Sequence, residues 1–493
     1  MTKQKSFRSA ITWSFAGNWG EKALVSLFTV VLAALLGPKD FGLVAIAWIF
    51  VNFIQMFLDQ GLVAALIQKR DLQQEHLDAV FWMDLCLSLL LVAGSILVSH
   101  WWATLNHAPQ VAVLISVLSL CIPIEGMAIV QKTVLSRNMD FKSLSVRSTI
   151  AVLVSGIVGI GMAWAKLGVW ALVGQQITKD LVSLALLWRL SSWRPRWAFS
   201  WPHLQELMSF SLSNFAAQLG IFADTQAGSI LVGIFLGPVP VGLYRLADRI
   251  MNAVVAACTS SIQAVSLPEF SRLQDKPAEL RASALTCIRL SSTITLPALA
   301  GLAAISDSLM ATLGSKWLPA ADVLKVFCVL GMVIIFAYFT GPLLQALSKP
   351  HHLAALEWGR TALGVCLLVV AGIMVRHAPV DVRIMAIAVA RLAAGVLVVA
   401  PVFVYILMRL TGISLGDLAR VALPSVASSV AIVVAIQCIR FIRILSTDKP
   451  AFNLAIEIIA GVIVGIPMLL VSDPKLRKAS QQRFRALRAS SLP

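Results

Sequence analysis

Apolar stretches of about twenty residues follow one another along almost the whole chain, and few of them contain a charge. That is the length an α-helix needs to cross the ~30 Å hydrocarbon core of a bilayer. Fourteen such stretches are expected, at 11–36, 41–66, 79–100, 110–132, 148–166, 168–190, 209–236, 241–266, 287–313, 321–346, 353–376, 381–410, 421–441 and 451–471. Several exceed the bilayer thickness and predict tilt or projecting ends. The composition agrees, with 58% hydrophobic and 13% charged residues, against about 45–50% and about 25% in a soluble domain. The sequence therefore predicts an all-α polytopic membrane protein of about fourteen transmembrane helices.

The net charge of +16 follows from the collection of Lys and Arg in cytoplasmic loops. No basic, aromatic-rich soluble domain exists to hold nucleic acid, so none is expected as a partner. With the N-terminus inside, 25 loop and tail cations fall on the cytoplasmic side and nine on the other. Both termini are thus expected in the cytoplasm, although the loop after the thirteenth stretch carries Arg440, Arg443 and Lys449 on the outer side. The basic start, Lys3 to Arg8, leads into an expected uncleaved first span, because Glu21 and Lys22 follow and no small-residue cleavage site does. The seven cysteines fall in or at the ends of apolar runs without zinc-like spacing, and the histidines form no HExxH cluster. Neither a metal site nor a cofactor is expected. The tail 475–488 reads as a basic membrane-surface segment.

Leu36-Gly37-Pro38 through Gly42-Leu43 recurs two hundred residues later as Leu236-Gly237-Pro238 through Gly242-Leu243. The same offset pairs Phe15 with Phe215, Ala16 with Ala216, Gly20 with Gly220 and Asn52 with Asn252. Gly-Pro stops one helix and lets the next begin. Six spans separate the copies, an even number, so the two must point the same way through the membrane. They predict parallel six-helix repeats around a central cleft. The expected lobes are 1–190 and 209–410, joined by a cytoplasmic linker at 191–208 with its tryptophans at headgroup level. Two additional helices at 411–471 and a basic tail at 472–493 follow.

Ionisable residues deep in apolar spans face a bundle interior or a watery cavity. Arg245, Asp248 and Arg249 share one helical face by their i, i+3, i+4 spacing. One carboxylate cannot neutralise both arginines, and the arginine fork suits phosphate oxygens; a structural ion-pair network or snorkelling to the interface is the alternative. Asn18, Glu21 and Lys22 share a face of the first span, where Lys22 is a candidate cleft cation and Glu21 its candidate partner. Asp224 is a candidate proton or sodium-ion carrier, or the partner of an arginine on a neighbouring helix. Arg391 is a further candidate cleft cation. Lys179 and Asp180 read as a pair, Asp59 and Asp84 as organisers of helix ends, and Glu125, beside Pro123 and Gly126, as a hinge candidate.

The stretch Gly37-Pro38-Lys39-Asp40-Phe41-Gly42, then Asp59-Gln60-Gly61-Leu62 to Ala65-Leu66-Ile67-Gln68, resembles the N-terminal signature of bacterial polysaccharide transporters. So do Arg137-Asn138-Met139-Asp140-Phe141-Lys142, Gly242-Leu243-Tyr244 with Ala247, Pro268 with Phe270-Ser271-Arg272-Leu273, and Gly314 to Ala320. The matches follow the family's order over most of the chain and point to the colanic-acid or xanthan type of flippase, within the multidrug/oligosaccharidyl-lipid/polysaccharide exporter superfamily. The resemblance implies a non-enzymatic flippase of the bacterial inner membrane. Its substrate would be an undecaprenyl-pyrophosphate-linked oligosaccharide for exopolysaccharide or lipopolysaccharide synthesis, with membrane lipids and polysaccharide polymerase machinery as partners. It also implies cationic cleft residues, a role that falls here on Lys22, Arg245, Arg249 and Arg391. A cation-coupled multidrug exporter of the same superfamily predicts an acid-dominated cleft instead. A polysaccharide polymerase or ligase predicts a sizeable extracytoplasmic loop.

Overall fold

The computed structural model describes residues 20–58, 66, 71–138, 140–208, 211–347, 350–442 and 450–472. Asn18, Asp59, Arg443, Lys449 and the basic tail lie outside the described residues. Among those described, the regular elements are all helices and no strand occurs. Helix is present in each of the fourteen expected stretches. Nine helices, counted over the described residues, are both long and apolar enough to cross a membrane, which makes this a multi-pass membrane protein. Others fall short in polarity, as does Val169–Leu190 through its Gln175 to Asp180 segment. Pro277–Leu313, with 37 residues, is about 55 Å long at 1.5 Å per residue, well over the bilayer core. Leu97, Leu90, Leu397 and Val471 are 70–82% exposed, as side chains facing lipid are.

The fold divides into two compact units, Met1–Gly242 and Leu243–Pro493. In the first, Phe141–Trp164 and Val169–Leu190 form a closely packed pair. Lys166 and Gly168 adopt positive φ at the turn between them. The helix Gln74–Leu105 lies against Gln110–Leu118 and Cys121–Arg137, two pieces of one apolar run interrupted at Ser119 and Leu120. The segment after Leu190 is a strap packed on the start of Gln74–Leu105. Asp78 accepts from the Arg196 backbone N–H at 3.1 Å, and Trp82 donates to the Arg196 carbonyl at 2.7 Å. Trp197 stacks on Trp82 with centroids 4.5 Å apart. Trp193 in this strap is buried with Leu77, Phe81 and Val130. Trp197 (92% exposed) and Trp201 (54%) do face outward.

Both copies of the repeated motif restart a helix at proline, whose missing N–H costs nothing in the first turn. These are Pro38–Gln55 and Pro238–Arg272. Gly237 has φ +80° and Gly37 has φ −109°, so only the second copy needs glycine's left-handed freedom. Gly42 and Gly242 meet face to face within the first unit. A Cβ on Gly42 would strike the carbonyl of Pro238, and one on Gly242 the carbonyl of Pro38. Two helix starts therefore cross with backbone against backbone.

In the second unit Pro277–Leu313 is central, packing on Ala320–Ile334, Leu415–Phe441 and Pro450–Ser472. One end of the unit is held by Phe270, Leu273, Leu280, Phe339, Leu343 and Leu407. Several of its helices are irregular, among them Pro238–Arg272 and Pro450–Ser472, which hold Pro268 and Pro467. Pro297 and Pro424 sit inside helices, a 3-10 turn occupies Ile335–Ala337, and a π-turn occupies Gly395–Val399.

Candidate functional site

The Pro238–Arg272 helix begins an aromatic and charged face with Tyr244, Arg245, Asp248 and Arg249. Tyr244 is only 1% exposed and meets Phe327 edge to face, with centroids 4.9 Å apart. Arg391, from Val380–Ala394, reaches into this pair. Its Nη1 donates to the Tyr244 hydroxyl and to Asp248 Oδ1, both at 2.9 Å. Its guanidinium lies 5.1 Å from the Phe327 ring centroid and 5.7 Å from that of Tyr244. Such placement over an aromatic face adds about 0.5–2 kcal/mol where water is excluded. Asp248 and Arg391 are half-buried, at 17% and 25% exposed. Arg245 lies close enough to act electrostatically on Tyr244 and is partly buried, while Arg249 is exposed. Two guanidiniums, those of Arg391 and Arg245, thus act on one carboxylate, and Arg249 stands beside Arg245 one turn further along the same helix.

Four of the candidates named from the sequence come together here: Arg245, Asp248, Arg249 and Arg391. Arg391, expected as a cleft cation, is the partner of Asp248. Tyr244 and Phe327 were missed, for their apolar character in the sequence gives no hint of an arginine above them. Arg360 was counted as a loop cation. It lies in Pro350–Met374 and, with Asp248, acts on Tyr338, which places it in the same electrostatic neighbourhood.

In the first unit Glu21 is partly buried and Lys22 exposed. Glu21 and Glu125 both act on Arg147, whose Nη1 donates to Ser183 at 3.1 Å. Glu125 also pairs with Lys132 at 3.6 Å. The helix break lies at Ser119 and Leu120, just ahead of Glu125. Asp180 accepts two bonds from Gln176, at 2.9 and 3.0 Å, with Lys179 acting on it electrostatically. Asp224 falls in Ser211–Leu236, and its side chain is outside the described residues. Among the described residues no group of three metal-ligating side chains occurs.

A second polar group had no counterpart in the sequence reading. Arg440 holds Glu457 through two contacts, at 2.7 and 3.2 Å, and reaches Asp307 at 3.3 Å. Ser308 donates to Glu457 at 2.9 Å. Lys325 joins Asp307 and Asp322 at 2.8 and 2.9 Å. Glu457 is 1% exposed, so this ionic set fastens the last helix to its unit.

The helices superpose on those of solved membrane transporters. Lipid II flippase MurJ in an inward closed conformation matches with a TM-score of 0.69 at 13% identity, covering 94% of this chain and 99% of that one. An inward-facing multidrug-resistance MATE transporter matches with a TM-score of 0.62 at 16% identity, covering 79% of this chain and 95% of that one. The fold is therefore one shared by flippases and multidrug exporters. The chain belongs to the polysaccharide biosynthesis protein family, whose model matches residues 31–322, more than half its length. It is 27% identical over 321 residues to the succinoglycan biosynthesis transport protein ExoT of Rhizobium meliloti, covering 65% of each. It is 23% identical over 326 residues to the lipopolysaccharide biosynthesis protein WzxC of Escherichia coli, again covering 65% of each. The matched regions thus span just under two thirds of these relatives' own length.

Proposed function

We propose that this protein is a flippase. It moves undecaprenyl-pyrophosphate-linked oligosaccharide repeat units from the cytoplasmic to the outer leaflet of a bacterial inner membrane, for exopolysaccharide or lipopolysaccharide synthesis. The observation that carries this reading is the surplus of guanidinium over carboxylate on one helix face, where Arg245 and Arg391 act on Asp248 and Arg249 follows one turn on, within a chain of only 13% charged residues. A pyrophosphate cannot leave water without fixed positive charge to receive it, and a guanidinium fork suits its oxygens. Family membership and the names of the matched relatives agree with a saccharide cargo.

Transport proceeds by alternating access of the lobes 1–190 and 209–410. The substrate's lipid tail stays in the bilayer while its sugars cross through a watery interior. Lys22 and Asn18 contribute from the first span, and Asp224 or Glu21 carries the coupling proton or sodium ion. Both termini are cytoplasmic, polysaccharide polymerase machinery receives the product, and no chemical step on the saccharide is needed. The fold is also found, with a lower TM-score, in a multidrug exporter, but a cleft for cationic drugs calls for surplus acid, and the acid here is outnumbered.

The test is mass spectrometry of lipid-linked saccharides in a deletion strain. An undecaprenyl-pyrophosphate repeat unit accumulates, and the wild-type gene clears it. Normal lipid-linked pools combined with new sensitivity to cationic drugs would replace the flippase by the exporter.

A further inference from the structure

We infer that one acyl chain of a bilayer phospholipid seats in an apolar pocket of the second unit. The pocket has a volume of about 720 Å³ and is open on one side. Four helices wall it, and each is irregular where it does so. Ala300 lies just past Pro297, Phe336 sits in the 3-10 turn, Ala400 follows the π-turn, and Ala422 and Val426 flank Pro424. An interrupted helix no longer presents a regular set of ridges to its neighbours, so the four walls fail to close on one another.

The chemistry of the lining decides what fills the space. Of sixteen lining residues only Ser429 carries a polar side-chain group, and its hydroxyl already donates to the Ser425 carbonyl at 2.7 Å. A buried water needs two to four polar partners, and none is offered. The open side continues onto the exposed face of Leu415–Phe441 formed by Val426, Val430 and Val434, at 45–56% exposure. On a membrane-spanning helix that face touches hydrocarbon. The pocket is thus an extension of the lipid interface, and hydrocarbon enters it from the side.

Size selects the source. A methylene takes roughly the ~30 Å³ share of a liquid water, so a sixteen- to eighteen-carbon acyl chain fits within the volume. The eleven isoprene units of an undecaprenyl chain overfill it, so most of such a tail would be left outside. The chain whose whole length the pocket matches is a phospholipid acyl chain, and the site stands whether or not the flippase reading does.

The full-length protein is reconstituted in nanodiscs of phosphatidylethanolamine and phosphatidylglycerol carrying a mid-chain diazirine, irradiated, digested and mapped by mass spectrometry. Labelling at Val329 and Val430 at least tenfold above that at Leu90 and Leu97, which are exposed to lipid outside any pocket, is the expected result. Ala300→Phe fills the space and lowers pocket labelling at least fivefold, leaving Leu90 and Leu97 unchanged. Even labelling over all lipid-facing helices overturns the site, and this arm decides the matter even if the Ala300→Phe chain does not fold. Displacement of the label by excess undecaprenyl phosphate assigns the pocket to a polyprenyl tail and overturns the phospholipid.

Discussion

Arg391 is committed twice over, to Asp248 and to the Tyr244 hydroxyl, and removing it leaves a half-buried carboxylate with only the longer-range attraction of Arg245. Arg391→Ala should destabilise the protein by about 2–3 kcal/mol, less than a fully buried pair because both partners keep some solvent. Tyr244→Phe, which deletes one hydrogen bond, should cost about 1 kcal/mol. Thermal unfolding of the purified variants gives both numbers, and the Arg391→Ala/Asp248→Ala double mutant should recover much of the loss. Arg249 is exposed and should behave oppositely. Arg249→Ala is expected to leave the unfolding temperature within a degree or two while cutting clearance of the lipid-linked intermediate at least tenfold; full clearance by this variant removes the arginine from the transport path. The spacing of Arg245, Asp248 and Arg249 made one face of this site legible from the sequence. The reach of Arg391 across 143 residues was not, because helical periodicity says which residues share a face and nothing of which helix lies opposite. Glu457 was hidden for a related reason. A single carboxylate does not interrupt the apolar run around it, and its partners sit on other helices.

Among the elements, the last helix depends on the Arg440–Glu457 clamp. Glu457→Gln weakens a buried two-point ion pair and should lower stability by about 2–3 kcal/mol, read as a drop in unfolding temperature that Arg440→Ala reproduces. The same clamp bears on the one awkward loop in the charge count. Arg440 is neutralised by Glu457 and Asp307 and so exerts little of the pull that free loop cations exert on topology. Gly42→Val should be far more severe, since its side chain has only the Pro238 backbone to occupy. Loss of folded protein in a fluorescence-detected size-exclusion profile is expected for it, and for Gly242→Val alike. The helices themselves were legible because run length and Gly-Pro punctuation are local properties. The interruptions at Ser119 and Leu120 and at Ile335–Ala337 were not. The second carries no proline or glycine. The first lies one turn ahead of Pro123, whose missing N–H leaves the Ser119 carbonyl without its helical bond, so the sequence marked a hinge nearby but not where the helix breaks. The packing of the strap after Leu190 was not legible either. Arginine and tryptophan suit a solvated surface, and only the fold shows Trp193 closing a core.

For the whole molecule, the asymmetry of lysine and arginine sets the expected orientation. Green fluorescent protein fused after Pro493 should fluoresce, and alkaline phosphatase inserted after Lys316 should be active; the reverse pattern would invert the topology. The repeat that runs through the chain has its plainest expression where Gly42 meets Gly242. A position that touches its own copy behaves like a residue on the axis of a symmetric dimer, where one patch is both lock and key. Were both sides of that contact one residue, as on a true dimer axis, any change there would strike twice; here they are two separate residues, and each change meets an unaltered partner. Their surroundings differ, with Lys39 and Asp40 on one side and Val239 and Pro240 on the other. The two glycines are alike because each has the other helix's backbone for a neighbour.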